Sequence, residues 1–181
     1  MQYAQVGIVS ISGEYAKNSK MRFPIKANDS PREQKMSAKD RYHDTVVRTL
    51  QKDNWNITDD PLFLTIADTD LLIDLGAERV VAAERQHIRI AVEIKSFLSK
   101  SAVQDLKEAT GQFVLYEEAL RRSPANADRI LYLAIRLSVY SSLFVSGIGR
   151  ILLESKRLRL VIFEEETEEV KLWIPEPSTE K

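Results

Sequence analysis

Asp74, Glu93 and Lys95 are the residues whose types and spacing point to chemistry. Asp74 sits inside the apolar run Leu71–Leu75. Glu93 and Lys95 sit inside a second run, Ile90–Phe97. Residues two apart on a strand share a face, so Glu93 and Lys95 project together. A carboxylate and an ammonium on one face of a mostly apolar strand are costly to bury without a partner or a purpose. One purpose is metal chemistry. A hard cation such as Mg2+ or Mn2+ takes oxygen ligands and needs only one or two protein carboxylates, with water and phosphate filling the rest. Asp74 and Glu93 are the candidate metal ligands. Lys95 beside them would orient or help deprotonate an attacking water and stabilise charge developing on a phosphate. The competing reading is a buried Asp–Lys or Glu–Lys ion pair that fixes strand register. A Glu-x-Lys triplet is common by chance, so spacing leaves both readings open.

The elements that must position these residues are legible in outline. Leu71–Ala77, Arg79–Glu84 and Ile88–Phe97 are short, bounded and rich in Val, Ile and Leu, and read as strands. Leu62–Ile66 reads as an extended piece before them, with a turn at Ala67–Asp70. The short turns predict an antiparallel meander. Gly76 allows a close backbone approach or a bulge. Upstream, Ser37 is a candidate N-cap for a helix over Ala38–Lys52, with Tyr42, Val46 and Leu50 on one stripe. Asp40 and His43 lie close together in projection and would flank the core, in support of the site. They equally suit a helix N-terminus with dipole-favouring acids and one boundary histidine. Trp55 anchors the turn after this helix.

Ser101 caps a long helix over Ala102–Arg122. Its stripe is Val103, Leu106, Ala109, Thr110, Phe113, Val114, Glu117 and Leu120, with Gln112 and Tyr116 as neighbours on the edge. Arg129–Arg136 is apolar enough for a central buried strand. Strand, helix and strand in that order predict a right-handed crossover and a parallel pair. Val139–Ile148 is a weaker amphipathic piece, either core or partner surface. Leu158–Phe163 and Val170–Ile174 are two further strands, joined by Glu164–Glu169. That acidic turn repels polyanions and should face away from any DNA. Lys100 and Lys107 could meet phosphates, or be solvated surface.

The chain has 181 residues, a net charge of −1 and no cysteine. Disulfides, thiolate zinc sites and cysteine nucleophiles are excluded. A strongly basic nucleic-acid binder is not indicated, so contact with DNA needs a local patch or charge borrowed from a partner. No apolar run of about 18 residues exists, and no signal peptide is evident, which predicts a cytoplasmic protein without a membrane span. Residues 1–35 read as a peripheral or mobile arm, with Tyr3–Ile11 as a short strand. An edge strand on the domain, or an extension upstream of a start at Met36, are the alternatives. Residues 36–175 read as one domain and 176–181 as a disordered tail. A homo-oligomer paired through an edge strand such as Val170–Ile174 is open.

Two resemblances follow from these residues. A helix, a strand with Asp74, a strand with Glu93-x-Lys95, a helix and a central strand together resemble the restriction-endonuclease-like nucleases, the PD-(D/E)XK group. More specifically, Met36–Pro175 resembles the fdxN element excision controlling factors, the XisH-like proteins of cyanobacteria. The resemblance rests on Ala38–Asp40 with Tyr42–Asp44, on Asp74–Glu78, on Ala91–Phe97, on Gly111–Phe113 with Tyr116, and on Lys171–Pro175. It implies an α/β fold with a restriction-endonuclease-like core, a mixed central β-sheet flanked by helices. It implies a role in excising a DNA element during programmed genome rearrangement, beside a site-specific recombinase and a small XisI-like companion. Catalysis is not implied by the family itself. Carried over, the nuclease motif maps to Asp74, Glu93 and Lys95, with Gln112 as the helix glutamine and the Ile94 carbonyl as a further ligand. Ile73 stands where the group's proline would be. Asp40, His43 or Asp44 must serve for the usual first-helix glutamate.

Overall fold

The computed structural model describes residues 39–66, 68–81, 86–145 and 147–178, which belong to one compact unit, Ser37–Lys181. The N-terminal arm, the Ser37 cap and the last three residues of the tail lie outside the described residues. The fold is α/β. Its strands are β1 (Asn56–Asp59), β2 (Leu62–Ile66), β3 (Thr69–Ile73), β4 (Leu75–Val81), β5 (Gln86–Ile94), β6 (Ile130–Arg136), β7 (Leu160–Glu164) and β8 (Glu169–Ile174). Six of them form a mixed sheet in the order β1-β4-β5-β6-β7-β8, and β2 and β3 form a separate two-stranded ribbon. The three central strands β5, β6 and β7 are parallel; every other pairing is antiparallel.

The parallel centre follows from the crossovers. Helix α2 (Ala102–Arg122) connects β5 to β6. A short α3 (Leu137–Val139), a π-helical turn (Tyr140–Phe144) and α4 (Gly149–Glu154) connect β6 to β7. Strands β6 and β7 are buried on both faces, as parallel strands covered by helices must be. On one face Leu106, Ala109, Phe113 and Leu120 of α2 pack on Ala91, Leu131, Leu133 and Ile135, with Leu62, Leu64 and Ile73 of the ribbon. On the other, Val46 and Leu50 of α1 (His43–Lys52) pack on Leu75, Ile90, Val92 and Tyr132. Trp55 and Trp173 close that layer, their ring centroids 5.6 Å apart. Among the described residues no helix is long and apolar enough to cross a membrane.

The structure corrects several expectations. The run Leu71–Ala77 is not one strand: β3 and β4 belong to different sheets and Asp74 is the single residue between them. Arg79 to Val81 continue β4 rather than starting a new strand. Helix α1 starts at His43, not Ala38, because the Asp40 carboxylate takes the Tyr42 N–H at 2.9 Å and its carbonyl takes the His43 N–H at 3.0 Å. Val103 and Val114 are exposed, since the buried stripe of α2 runs through Asp105, Leu106, Ala109 and Phe113. The tail is packed at its start: the Tyr132 hydroxyl donates to the Pro175 carbonyl at 3.0 Å, and Pro177 is buried.

Gly76 shows why a glycine follows the site. A Cβ there would come within 2.5 Å of Asp59 Oδ2 and 2.9 Å of Arg129 Nη1. Opposite it, β1 is bulged between Ile57 and Asp59. The close approach is by side chains rather than by another backbone, and the bulge lies in β1 rather than at the glycine.

Candidate functional site

Strand β5 delivers Glu93 and Lys95 to the end of the sheet where the parallel strands finish. Ile90, Val92 and Ile94 point to the α1 layer, so the residues between them point toward α2. Lys95 Nζ accordingly meets Glu108 Oε2 of α2 at 3.3 Å. Glu93 is 7% exposed. Across from β5, the chain crosses from the ribbon to the main sheet at Asp74. The Asp74 carboxylate accepts the Ile94 N–H at 2.8 Å. Asp74 is thereby fixed to the strand that carries Glu93.

Burial is the main cause of their electrostatics. It raises the Asp74 pKa, against the stabilising Ile94 N–H and His43, and Asp40 and Asp60 raise it further. Burial pushes Glu93 up to about 8, with the Asp74 charge adding to the rise and Lys95 opposing it. Two neighbouring carboxylates cannot both ionise cheaply in a desolvated place. A cation between them would remove that cost.

Of the supporting residues, Gln112 lies one turn before Tyr116 on α2. Burial lifts that phenol to about 12, and the charges of Glu93 and Asp74 lift it further, so α2 presents Tyr116 to both acids. Asp40 comes to the site from the other layer: its Oδ2 accepts the Ser96 N–H at 3.0 Å. His43 is buried, 3% exposed, rather than at a boundary. Its Nε2 lies 2.9 Å from Asp60 Oδ1, off the line of a hydrogen bond, and neither ring nitrogen has a hydrogen-bond partner. Lys39 approaches the same carboxylate at 3.5 Å.

Four participants escape a reading by spacing. Glu108 pairs with Lys95, Asp60 lies against the His43 ring, and the Ser96 N–H holds Asp40. Arg136, the last residue of β6, donates to the Ser96 carbonyl at 3.2 Å, pairs with Glu165 at 3.2 Å and stacks 4.8 Å over the Tyr42 ring. A charge closing an apolar strand was the available signal, and it reads equally as a strand terminator.

The turn Glu164–Glu169 lies at this same end of the sheet, not away from it. Glu165 pairs with Arg136, and Glu168 pairs with Arg48 and Lys52. A cavity of about 440 Å³ lies at the opposite end, where β6 and β7 begin, lined by Arg129, Tyr132, Arg159 and Pro175 among others. It holds none of the carboxylates described here.

Among the described residues, no three His, Asp or Glu side chains converge to enclose an ion. A magnesium-type cation does not need three: two carboxylate oxygens with water and phosphate suffice. The Asp74–Glu93 pair is a donor set of that kind.

The fold is thus a mixed α/β sheet flanked by helices, with two acids and a lysine where its parallel strands end. The chain belongs to the XisH protein family, whose model matches residues 36–171. It is similar to the crystal structure of an XisH family protein from Nostoc punctiforme PCC 73102, with 36% identity and a TM-score of 0.65 over 74% of this chain and 98% of that one. It is similar to the same degree, with 97% of that chain covered, to a fdxN element excision controlling factor protein from Anabaena variabilis. No curated protein matches the chain.

Proposed function

We propose that the protein acts in controlling the excision of a DNA element, and that it does so as a divalent-metal-dependent deoxyribonuclease of the PD-(D/E)XK kind. The observation that carries this is Asp74 anchored on the backbone of Ile94 beside the buried Glu93, with Lys95 on the face of Glu93. Asp74 and Glu93 would hold Mg2+ or Mn2+. A bound cation would polarise the phosphodiester and lower the pKa of a water. Asp74 and Glu93 would bind in their ionised forms, Glu93 giving up its proton on binding. Lys95 would place its ammonium where negative charge builds on the phosphate. Asp40, His43 and Gln112 would orient the groups that touch substrate. The test is cleavage of supercoiled and branched DNA with Mg2+ or Mn2+, by the wild type and by Lys95→Ala. Metal-dependent cleavage lost in Lys95→Ala supports the reading; no cleavage by the wild type, alone or with an XisI-like companion, overturns it.

A second reading is favoured by the cations at the site end. Arg136, Arg48, Lys52, Lys95 and Lys39 each have a carboxylate partner. These five are already engaged, whereas phosphates normally draw much of their affinity for a protein from such cations. In this reading the chain is a non-catalytic accessory factor. It joins a small XisI-like companion or a recombinase–DNA complex, and Asp74, Glu93 and Lys95 are an inherited structural cluster. A stable complex with the companion, together with the absence of cleavage, distinguishes it.

A further inference from the structure

We infer that Arg136 is the positioning residue that joins the two halves of the site. The inference rests on the metal reading above for its functional meaning, and on geometry alone for its structural one. The strand end carrying Glu93 and Lys95 comes from the middle of the chain. The segment carrying Asp40 and His43 comes from the start of the domain, on the opposite layer. Their direct link is the bond from the Ser96 N–H to Asp40 Oδ2, 3.0 Å long. Arg136 closes a ring around that bond. One guanidinium nitrogen donates to the carbonyl of the same Ser96 at 3.2 Å. The guanidinium plane lies 4.8 Å over the ring of Tyr42, whose own N–H donates to Asp40 Oδ1 at 2.9 Å. The ring therefore runs Arg136, Ser96, Asp40, Tyr42 and back to Arg136. Glu165 holds the arginine from outside at 3.2 Å. The Nε atom is buried with no hydrogen-bond partner, which is a cost tolerated in keeping the group in this place.

The chemistry needs an arginine. A planar fork can donate to a carbonyl on one side, to a carboxylate on the other and stack on an aromatic ring at once. A lysine ammonium has three donors but no planar fork, so it cannot span both acceptors and stack on the ring in this geometry. Because Ser96 follows Lys95 directly, the ring fixes the backbone from which Lys95 projects. Outer groups of this kind typically set metal affinity by about 10–100-fold.

The chain has two histidines, which makes the ring observable: His43 is buried beside Asp40, and His87 is exposed and serves as a reference. The experiment compares wild type, Arg136→Lys and Arg136→Gln in full-length protein. It records the ring carbon–proton signals of both histidines, Mn2+ affinity by calorimetry, and thermal melting. Both variants are expected to shift the His43 signals, leave the His87 signals in place and weaken Mn2+ binding about tenfold. Arg136→Lys is expected to melt near the wild type and still fail to restore either readout, which a purely structural role would not produce. His43 signals unchanged in both folded variants would overturn the inference. If the wild type binds no Mn2+, the metal reading fails by itself, while the histidine signals still decide whether Arg136 joins the two segments.

Discussion

Asp74 Oδ2 takes the N–H of Ile94 at 2.8 Å, next in the chain to the buried Glu93. Asp74 therefore has a structural duty as well as a chemical one, and substitutions must separate the two.

Asp74→Ala should destabilise the protein by about 1–3 kcal/mol, because the half-buried Ile94 N–H loses its acceptor. Asp74→Asn keeps an amide oxygen there and should recover most of that stability without recovering the charge. Urea unfolding of both variants measures the difference. Equal losses in the two would show that the charge, not the hydrogen bond, holds the strand end.

Stability should fall as pH rises from about 4.5 to 8. With Glu93 raised to about 8, the folded state keeps a proton in that window that the unfolded chain has released. The contribution is complete below the unfolded pKa and is lost through the folded one. Glu93→Gln should therefore gain on the wild type as the buffer moves from pH 5 to pH 9, by an amount on the order of a few kcal/mol at most. Mg2+ should flatten the wild-type slope, since a cation favours the ionised acids. Thermal melts across that range read both effects.

Gly76→Ala should cost about 1–3 kcal/mol. The added methyl would press on Asp59 Oδ2 and on Arg129 Nη1, and Arg129 is held by the Ala77 and Ile90 carbonyls and by Asp59. Arg129→Met should cost about 3 kcal/mol by removing the donor to those carbonyls and the cation paired with Asp59, which keeps the Thr58 hydroxyl as a donor. Denaturant titration checks each; a neutral Gly76→Ala would mean that Asp59 swings aside freely.

Reversing charge on the acidic turn should show whether DNA approaches this end of the sheet. Glu165→Lys with Glu168→Lys frees Arg136, Arg48 and Lys52. If DNA approaches this end of the sheet, affinity should rise and its dependence on salt should steepen. Fluorescence anisotropy at two salt concentrations measures it. Unchanged binding would place any DNA contact elsewhere.

The strands were readable because their composition and bounds are local properties. Ile130–Ile135 is continuously apolar, and it lies in the buried parallel centre. The break at Asp74 was not readable, since both pieces beside it are extended and apolar, and pattern alone does not report a change of sheet. The burial of His43 was hidden for a related reason. Its neighbour Asp60 is brought to it only by the fold, from beyond the whole of α1 and β1. Glu93 and Lys95 share a face by strand alternation, which is why the spacing could be used. Arg136 depends on four segments meeting, and no window of sequence contains them.

The one-residue junction between β3 and β4 has a mechanical meaning. No slack backbone separates the β2–β3 ribbon from the carboxylate of Asp74. A tilt of the ribbon is transmitted to that carboxylate directly, as a lever turns its fulcrum. Whatever grips the ribbon's outer surface, where Phe63 lies half exposed opposite Leu72, gains a handle on the spacing of the acid pair from outside the site.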